Sequence, residues 1–242
     1  MQPNLKKMFT DTPKTRFEIR QTEAFRAESA SAEYNQGTPD GSRPGIFYVP
    51  ILDPSTFNIT SGMESLFLHE AIPGHHYQIS LQQENTQLPK FRRFGGNNAY
   101  VEGWALYCES LGKQLGCYID PYQYFYALGD EMHRAIRLVV DVGMHAKGWT
   151  REQAIDYMRS NEPITEQAAT AEIERYMAIP GQAVSYKVGE LKIKELRDKY
   201  SKQLGSKFKL VGFHDALLKD GAMPLSVLET KMDGWARMVN DK

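Results

Sequence analysis

Ser65 to Ser80 reads SLFLHEAIPGHHYQIS, and it holds three of the six histidines of the chain beside a glutamate: His69, Glu70, His75 and His76. Metal-ligating side chains this dense, among apolar residues at helical spacing, point to a ligand-bearing helix within a helical protein. A zinc-binding HExxH helix sets its histidines four residues apart so that both rings project onto one ion. The glutamate after the first histidine then acts as general base on the activated water. Here the second histidine arrives six or seven residues after the first. On a straight helix His75 would point about 120° away from His69, and His76 would lie about 10 Å farther along the axis, so neither could share an ion with it. Pro73-Gly74 falls inside this gap. Proline removes an N–H and clashes with the preceding turn, and glycine tolerates unusual backbone angles, so a bulge is expected over Ile72–Gly74. Looping out two residues returns His75 to the register of a second ligand and turns His76 about 100° aside, toward a supporting hydrogen-bond acceptor or a substrate cleft. The competing reading ends the helix at Pro73 and makes the histidines caps or core groups, but three imidazoles and a proline are a poor way to build a core.

A third ligand has to come from another element. Tyr100 to Ser110, YVEGWALYCES, places Glu102 27 residues after His75, with Glu109 seven residues further on the same helical face. Glutamate-type zinc peptidases take their third ligand from the helix after the motif helix, so Glu102 is the expected ligand. Glu109 is then placed to hold a ligand histidine in one tautomer. Without the upstream histidines, the two glutamates would read as a solvated face.

From Ser61 onward the pattern is helical, with helices expected over about 61–81, 98–116, 121–147, 151–159, 165–178, 181–203, 209–219 and 225–240. Asn98, Asp120-Pro121 and Thr150 with Glu152 and Gln153 supply the start signals. Residues 1–60 are rich in proline, glycine and serine, and only RFEIR (16–20) and GIFYVPI (45–51) have strand character. The fold class is therefore mainly α, with a small β element before a helical catalytic region at 61–242. An irregular opening of this kind is expected to follow a further N-terminal region. The chain has 242 residues, 41% of them hydrophobic and 24% charged, with a net charge of -1, so it can build its core without disulfides. The balanced charge argues against a nucleic-acid partner. No apolar run reaches the 18–20 residues of a membrane span, and MQPNLKKMFTDTPKT lacks the apolar stretch of a signal peptide. Cys108 and Cys117 are spaced neither as a zinc knuckle nor as a disulfide framework. No GxSxG elbow, phosphate-binding glycine loop or paired CxxC occurs. Met132, Met144, Met158 and Met177 read as core filler, and the lysines from Lys187 to Lys202, interleaved with acids, read as a solvated helix face.

HEAIPGHHYQ, EGWALYCESLG, RLVVDVGMHAKGWTREQAIDYM and PGQAVSYKVGELKI, in this order and spacing, resemble the bacterial family called domain of unknown function 885. The resemblance implies a fold similar to helical zinc metallopeptidases of the carboxypeptidase Taq, oligopeptidase and dipeptidyl-peptidase III branches. It implies Zn2+ as cofactor, held by His69, His75 and Glu102, with Glu70 as general base and a peptide as substrate. Tyr186 resembles the late-helix tyrosine that stabilises an oxyanion in the oligopeptidase-like enzymes. Beside a metal, two further sets gain meaning. Arg134, Arg137, Asp141 and His145 share an arc of about 80° on one helix. This is either a solvated stripe or an arginine anchor for a substrate carboxylate with an Asp141–His145 hydrogen-bonded pair. Arg175 and Tyr176, with Tyr186, form the second set. Zinc peptidases commonly bind substrate along an edge strand, for which GIFYVPI is the candidate. Family members are longer, which implies an N-terminal domain as partner to this catalytic part. The competing function is a catalytically inert metal-binding or assembly module. A soluble protein of the cytoplasm or periplasm is expected, with any leader lying upstream of Met1.

Overall fold

In a computed structural model, residues 1–27, 30–55, 57 and 62–241 are described. The opening segment contributes helix α1 (Gln2–Leu5) and strands β1 (Phe17–Gln21), β2 (Glu33–Asn35) and β3 (Gly45–Val49). Helices α2 (Met63–Glu70), α3 (His75–Glu84), α4 (Lys90–Arg93), α5 (Asn98–Ser110), α6 (Gly112–Leu115) and α7 (Pro121–Lys147) follow. The chain then continues through α8 (Arg151–Asn161), α9 (Glu166–Ala178), α10 (Gln182–Leu204), α11 (Leu210–Leu218) and α12 (Leu225–Asn240). The expected mainly-α class with a small β element is observed.

The starts of these helices follow from their caps. Asp120 accepts from Tyr122 N ahead of Pro121, and Thr150 closes a reciprocal capping box with Gln153. Asn97, rather than Asn98, caps α5 by accepting from Tyr100 N. The segment expected as one helix over 61–81 is two, with the chain turning between Glu70 and His75. Ser61 itself lies outside the described residues. The helix expected over 98–116 divides at Leu111 into α5 and α6.

The sheet has the order β1-β3-β2, with β1 parallel to β3 and β2 antiparallel to it, Tyr34 facing Phe47. This corrects the expectation for 45–51. Flanked on both sides, β3 has no free edge to offer a substrate, and its residues Ile46, Phe47 and Val49 are buried as a central strand requires.

The main core gathers Tyr77, Tyr100, Trp104, Tyr107, Ile193, Leu196, Phe213 and Leu228, from α3, α5, α10, α11 and α12. A smaller cluster of Ile136, Val140, Met158, Ile173 and Tyr176 joins α7 to α8 and α9. Two glycines set how closely α5 and α10 pack. A Cβ on Gly189 would lie 1.7 Å from Ala99 O, and one on Gly103 would lie 2.4 Å from the Gly189 backbone. Only glycine at both positions lets the helix backbones touch, and this contact brings Glu102 on α5 alongside Gln182 and Tyr186 on α10.

Two other expectations are corrected by burial. Met158 is core, but Met132 and Met177 are 47% and 49% exposed. Lys187 is not on a solvated face; it is buried and pairs with Glu131 and with the fully buried Glu190, each at 2.6 Å. An ammonium leaves water only where carboxylates replace its hydration.

Candidate metal centre

The turn between α2 and α3 decides the site. It runs through a cis Ile72–Pro73 peptide, and Gly74 presses so close to the end of α2 that a Cβ there would sit 1.8 Å from His69 O. Trp104 of α5 fixes the turn by donating its indole N–H to Pro73 O at 2.8 Å. Folding the two helices back in this way brings the His69 and His75 rings to 4.8 Å between centroids at 89°. Both Nε2 atoms face the same oxygen, Glu102 Oε2, at 3.6 Å for His69 and 3.3 Å for His75. The potential ligand atoms of His69, His75 and Glu102 all lie within 4.8 Å of one another, the sole such group of three or more among the described residues.

Glu102 Oε2 is buried and makes no hydrogen bond. A buried carboxylate oxygen whose neighbours are two imidazole nitrogens at 3.3 and 3.6 Å, beyond ordinary hydrogen-bond geometry, is an arrangement that a bound cation would draw together. Two imidazoles and one carboxylate form the donor set that suits zinc. Burial opposes ionisation of Glu102, but His69 and His75 outweigh it and hold the carboxyl well below the usual range. For His69, burial likewise lowers the pKa, yet Glu102 and Glu109 prevail and raise it to about 10.

The supporting contacts are equally directed. Glu109 Oε1 lies 2.7 Å from His69 Nδ1, so the carboxylate accepts a hydrogen bond from Nδ1–H and leaves Nε2 toward Glu102. Gln182 donates through Nε2 to Glu102 Oε1 at 3.5 Å and to the Tyr186 hydroxyl at 3.2 Å. The Tyr186 ring stacks on His69 at 6.0 Å between centroids, and the Arg137 guanidinium carbon lies 4.8 Å from the Tyr186 ring centroid. Burial and the nearby Glu102 raise the Tyr186 pKa, which keeps the phenol a proton donor. Glu70 is buried at the end of α2, directly after His69.

His76 takes no part in the cluster. Its Nδ1 shares a hydrogen bond with the Tyr34 hydroxyl of β2 at 2.9 Å, and its ring packs on Phe17 of β1 at 4.8 Å, so it ties the sheet to the turn. The expected Asp141–His145 pair is not formed. Asp141 accepts from Gly181 N at the start of α10, while His145 bonds Tyr176 O, each drawn off by a nearer backbone partner. The stripe on α7 is solvated only at its end: Arg137 and Asp141 are buried, and His145 is exposed. Arg134 reaches Asp130 at 3.3 Å and lies 4.0 Å from Glu109. Arg137 and Arg175 both bind Glu172 at 3.0 Å, and Tyr176 donates to the same carboxylate. Neither arginine is thus set up as an open anchor for a substrate carboxylate.

The sequence reading missed Gln182, Glu172, Trp104, Tyr34 and His133. Two had a signal: Gln182 precedes Tyr186 by one turn, and Glu172 stands three and four residues before Arg175 and Tyr176. His133, whose Nδ1 meets Glu162 at 2.8 Å and whose Nε2 is 3.5 Å from Glu172, and Tyr34 are placed by tertiary contact alone.

The family match extends over nearly the whole chain. The chain belongs to the bacterial proteins of unknown function grouped as DUF885, whose pattern matches residues 1–232. A solved structure from Colwellia psychrerythraea is 42% identical with a TM-score of 0.93, over 98% of this chain and 41% of that one. One from Shewanella oneidensis is 26% identical with a TM-score of 0.78, over 95% of this chain and 42% of that one. Both are described as a "putative lipoprotein", the second as of unknown function. The chain therefore spans about two fifths of the length of these relatives. No curated protein matches it. No described helix is long and apolar enough to cross a membrane.

Proposed function

We propose that the protein is a zinc-dependent metallopeptidase. The observation that carries the reading is the buried, unbonded Glu102 Oε2 facing the Nε2 atoms of His69 and His75. Held by His69, His75 and Glu102, a zinc ion would supply Lewis acidity for hydrolysis. Three protein ligands, rather than the four of a structural site, favour catalysis over an inert or assembly role.

The side chains then have separable tasks. His69 and His75 present Nε2, and Glu102 presents Oε2. Glu109 fixes the His69 tautomer, so that the nitrogen toward the cluster carries a lone pair. Glu70 accepts the proton of the attacking water and returns it to the leaving amine. Tyr186, protonated and steered by Gln182 and Arg137, donates its hydroxyl proton in a hydrogen bond to the developing oxyanion. Substrate main chain is placed along β2, the strand paired on one side to β3 and tied to the turn through Tyr34 and His76. Peptides as substrate rest on the likeness of HEAIPGHH and EGWALYCES to the helical zinc peptidases.

The test is Glu70→Gln assayed on a peptide library, with bound zinc measured in parallel. Hydrolysis by the wild type, at least about 1,000-fold loss in the variant and unchanged zinc content are expected. Retained turnover removes Glu70 from the chemistry, and absence of stoichiometric zinc in the wild type refutes the metal reading.

A further inference from the structure

We propose that Arg134 is a positioning residue of the metal centre, fixing through Glu109 the direction in which His69 presents its ligand nitrogen. This role rests on His69, His75 and Glu102 binding zinc, not on the reaction the zinc serves. Arg134 has no hydrogen bond or ion pair to any of the three. Its carboxylate neighbours are Asp130, one turn earlier on α7, with Nη1 to Oδ1 at 3.3 Å, and Glu109 on α5, with Nη2 to Oε1 at 4.0 Å. The Glu109 oxygen it faces is the one that lies 2.7 Å from His69 Nδ1.

Two helical turns face each other here. Ser65 and His69 stand four residues apart on α2, as Asp130 and Arg134 do on α7. At one end Ser65 Oγ lies 2.9 Å from Asp130 Oδ2, and at the other Arg134 reaches His69 through Glu109. The side chains close a ring from α2 to α7 and back by way of α5, so Arg134 cannot shift along its helix without pulling on Asp130. The Asp130 carbonyl adds a second tether, accepting from Nη1 at 3.2 Å. Glu109 needs this support because it has somewhere else to go. Its side chain is 6% exposed, yet it borders a cavity of about 250 Å3 that Lys113 and Lys194 also line. Its Oε2 is buried and makes no hydrogen bond, and neither does Nε of Arg134. Glu109 is thus tied to His69 by one oxygen alone. Without the arginine, the carboxylate is free to turn toward the ammonium groups across the cavity, and the imidazole loses the acceptor that fixes its tautomer. Burial opposes the Arg134 charge, but Glu109 and then Asp130 outweigh it, so the guanidinium stays charged beside them.

The test is the zinc affinity of the full chain, by chelator competition at one pH, with circular dichroism as the folding control and a double-mutant cycle between Arg134 and Glu109. Glu109→Gln and Arg134→Gln should each weaken binding by about 10- to 100-fold, the range for groups that orient a ligand. Combined, they should cost less than about twofold beyond Glu109→Gln alone, because the arginine acts through that carboxylate. Arg134→Lys, which keeps the charge, should recover affinity to within about threefold of wild type, whereas the uncharged Arg134→Met should not. Asp130→Asn, which loosens the tether, should cost about three- to fivefold, and nothing further once Glu109 is glutamine; this pair decides the matter if Arg134→Gln does not fold. Wild-type affinity in Arg134→Gln, losses of equal size with and without the Glu109 carboxylate, or no recovery in Arg134→Lys overturns the proposal and leaves the metal centre in place. A wild type that binds no zinc overturns the metal reading and this role with it. Peptide hydrolysis does not enter the measurement, so its absence bears on the peptidase reading alone.

Discussion

Replacing Gly74 by alanine probes the feature on which the candidate centre depends, and the geometry sets the size of the effect. The added Cβ would lie 1.8 Å from His69 O and 2.4 Å from Leu68 O, against the 3.0 Å below which real Cβ contacts essentially do not occur. The obstacles are backbone carbonyls at the end of α2, so no side-chain rotation relieves the clash. The turn has to retreat by about 1.2 Å. His75 is the next residue and moves with it, whereas zinc–ligand distances tolerate only about 0.2 Å. The ligand set would be broken. Overpacking of this kind costs about 1–3 kcal/mol, which for a chain of this size lowers Tm by about 3–10 °C. Zinc affinity should fall by at least about 100-fold, as expected when a ligand rather than its support is displaced. Thermal unfolding in excess chelator reads the first effect, and competition with a chromophoric chelator reads the second. Gly96→Ala is the control, because a Cβ there meets nothing within 4 Å. If Gly74→Ala keeps both the wild-type Tm and a zinc affinity within about threefold, the turn does not position the ligands and the reasoning fails.

Three further outcomes are expected. His75→Ala should weaken zinc binding by at least about 100-fold and His76→Ala by less than about tenfold, because His76 is engaged by Tyr34 rather than by the cluster. Equilibrium dialysis showing the reverse order would make His76 the ligand. With its pKa raised to about 10, His69 is protonated at neutral pH in the zinc-free protein, so binding displaces a proton and affinity should rise about tenfold per pH unit from pH 7 to 9. Calorimetry in buffers of different ionisation heat that found no proton release would contradict this. His214, buried between Met8 O and the Tyr107 hydroxyl, has its pKa lowered to about 3, chiefly by burial. Its folded value lies below the unfolded one, so its contribution to stability is intact above about pH 6.5 and is lost as pH falls toward 3, by up to about 1.4 kcal/mol per pH unit. Urea midpoints of wild type and His214→Gln that fall in parallel between pH 7 and 4.5 would exclude that contribution.

The helical class was legible because periodicity over ten or more residues is a local property, and α7, α10 and α12 kept the spans their patterns implied to within a residue or two. A disturbance at Pro73-Gly74 was legible for the same reason, but it was read as a bulge within one helix over 61–81, whereas the chain breaks there into two helices. What lay beyond local reading was partner choice. GIFYV reads as a strand from its side chains, but nothing in those residues says that β1 and the short EYN of β2 flank it on both sides. Asp141 and His145 share a helical face, yet each is claimed by a backbone group brought from α9 or the start of α10. Lys187 looks solvated beside its lysine neighbours and is buried because Glu131 arrives from a helix more than fifty residues away. Met132 shows the opposite failure. It was read as core filler but is 47% exposed, because Ile136 and Val140 already fill the inward face of α7.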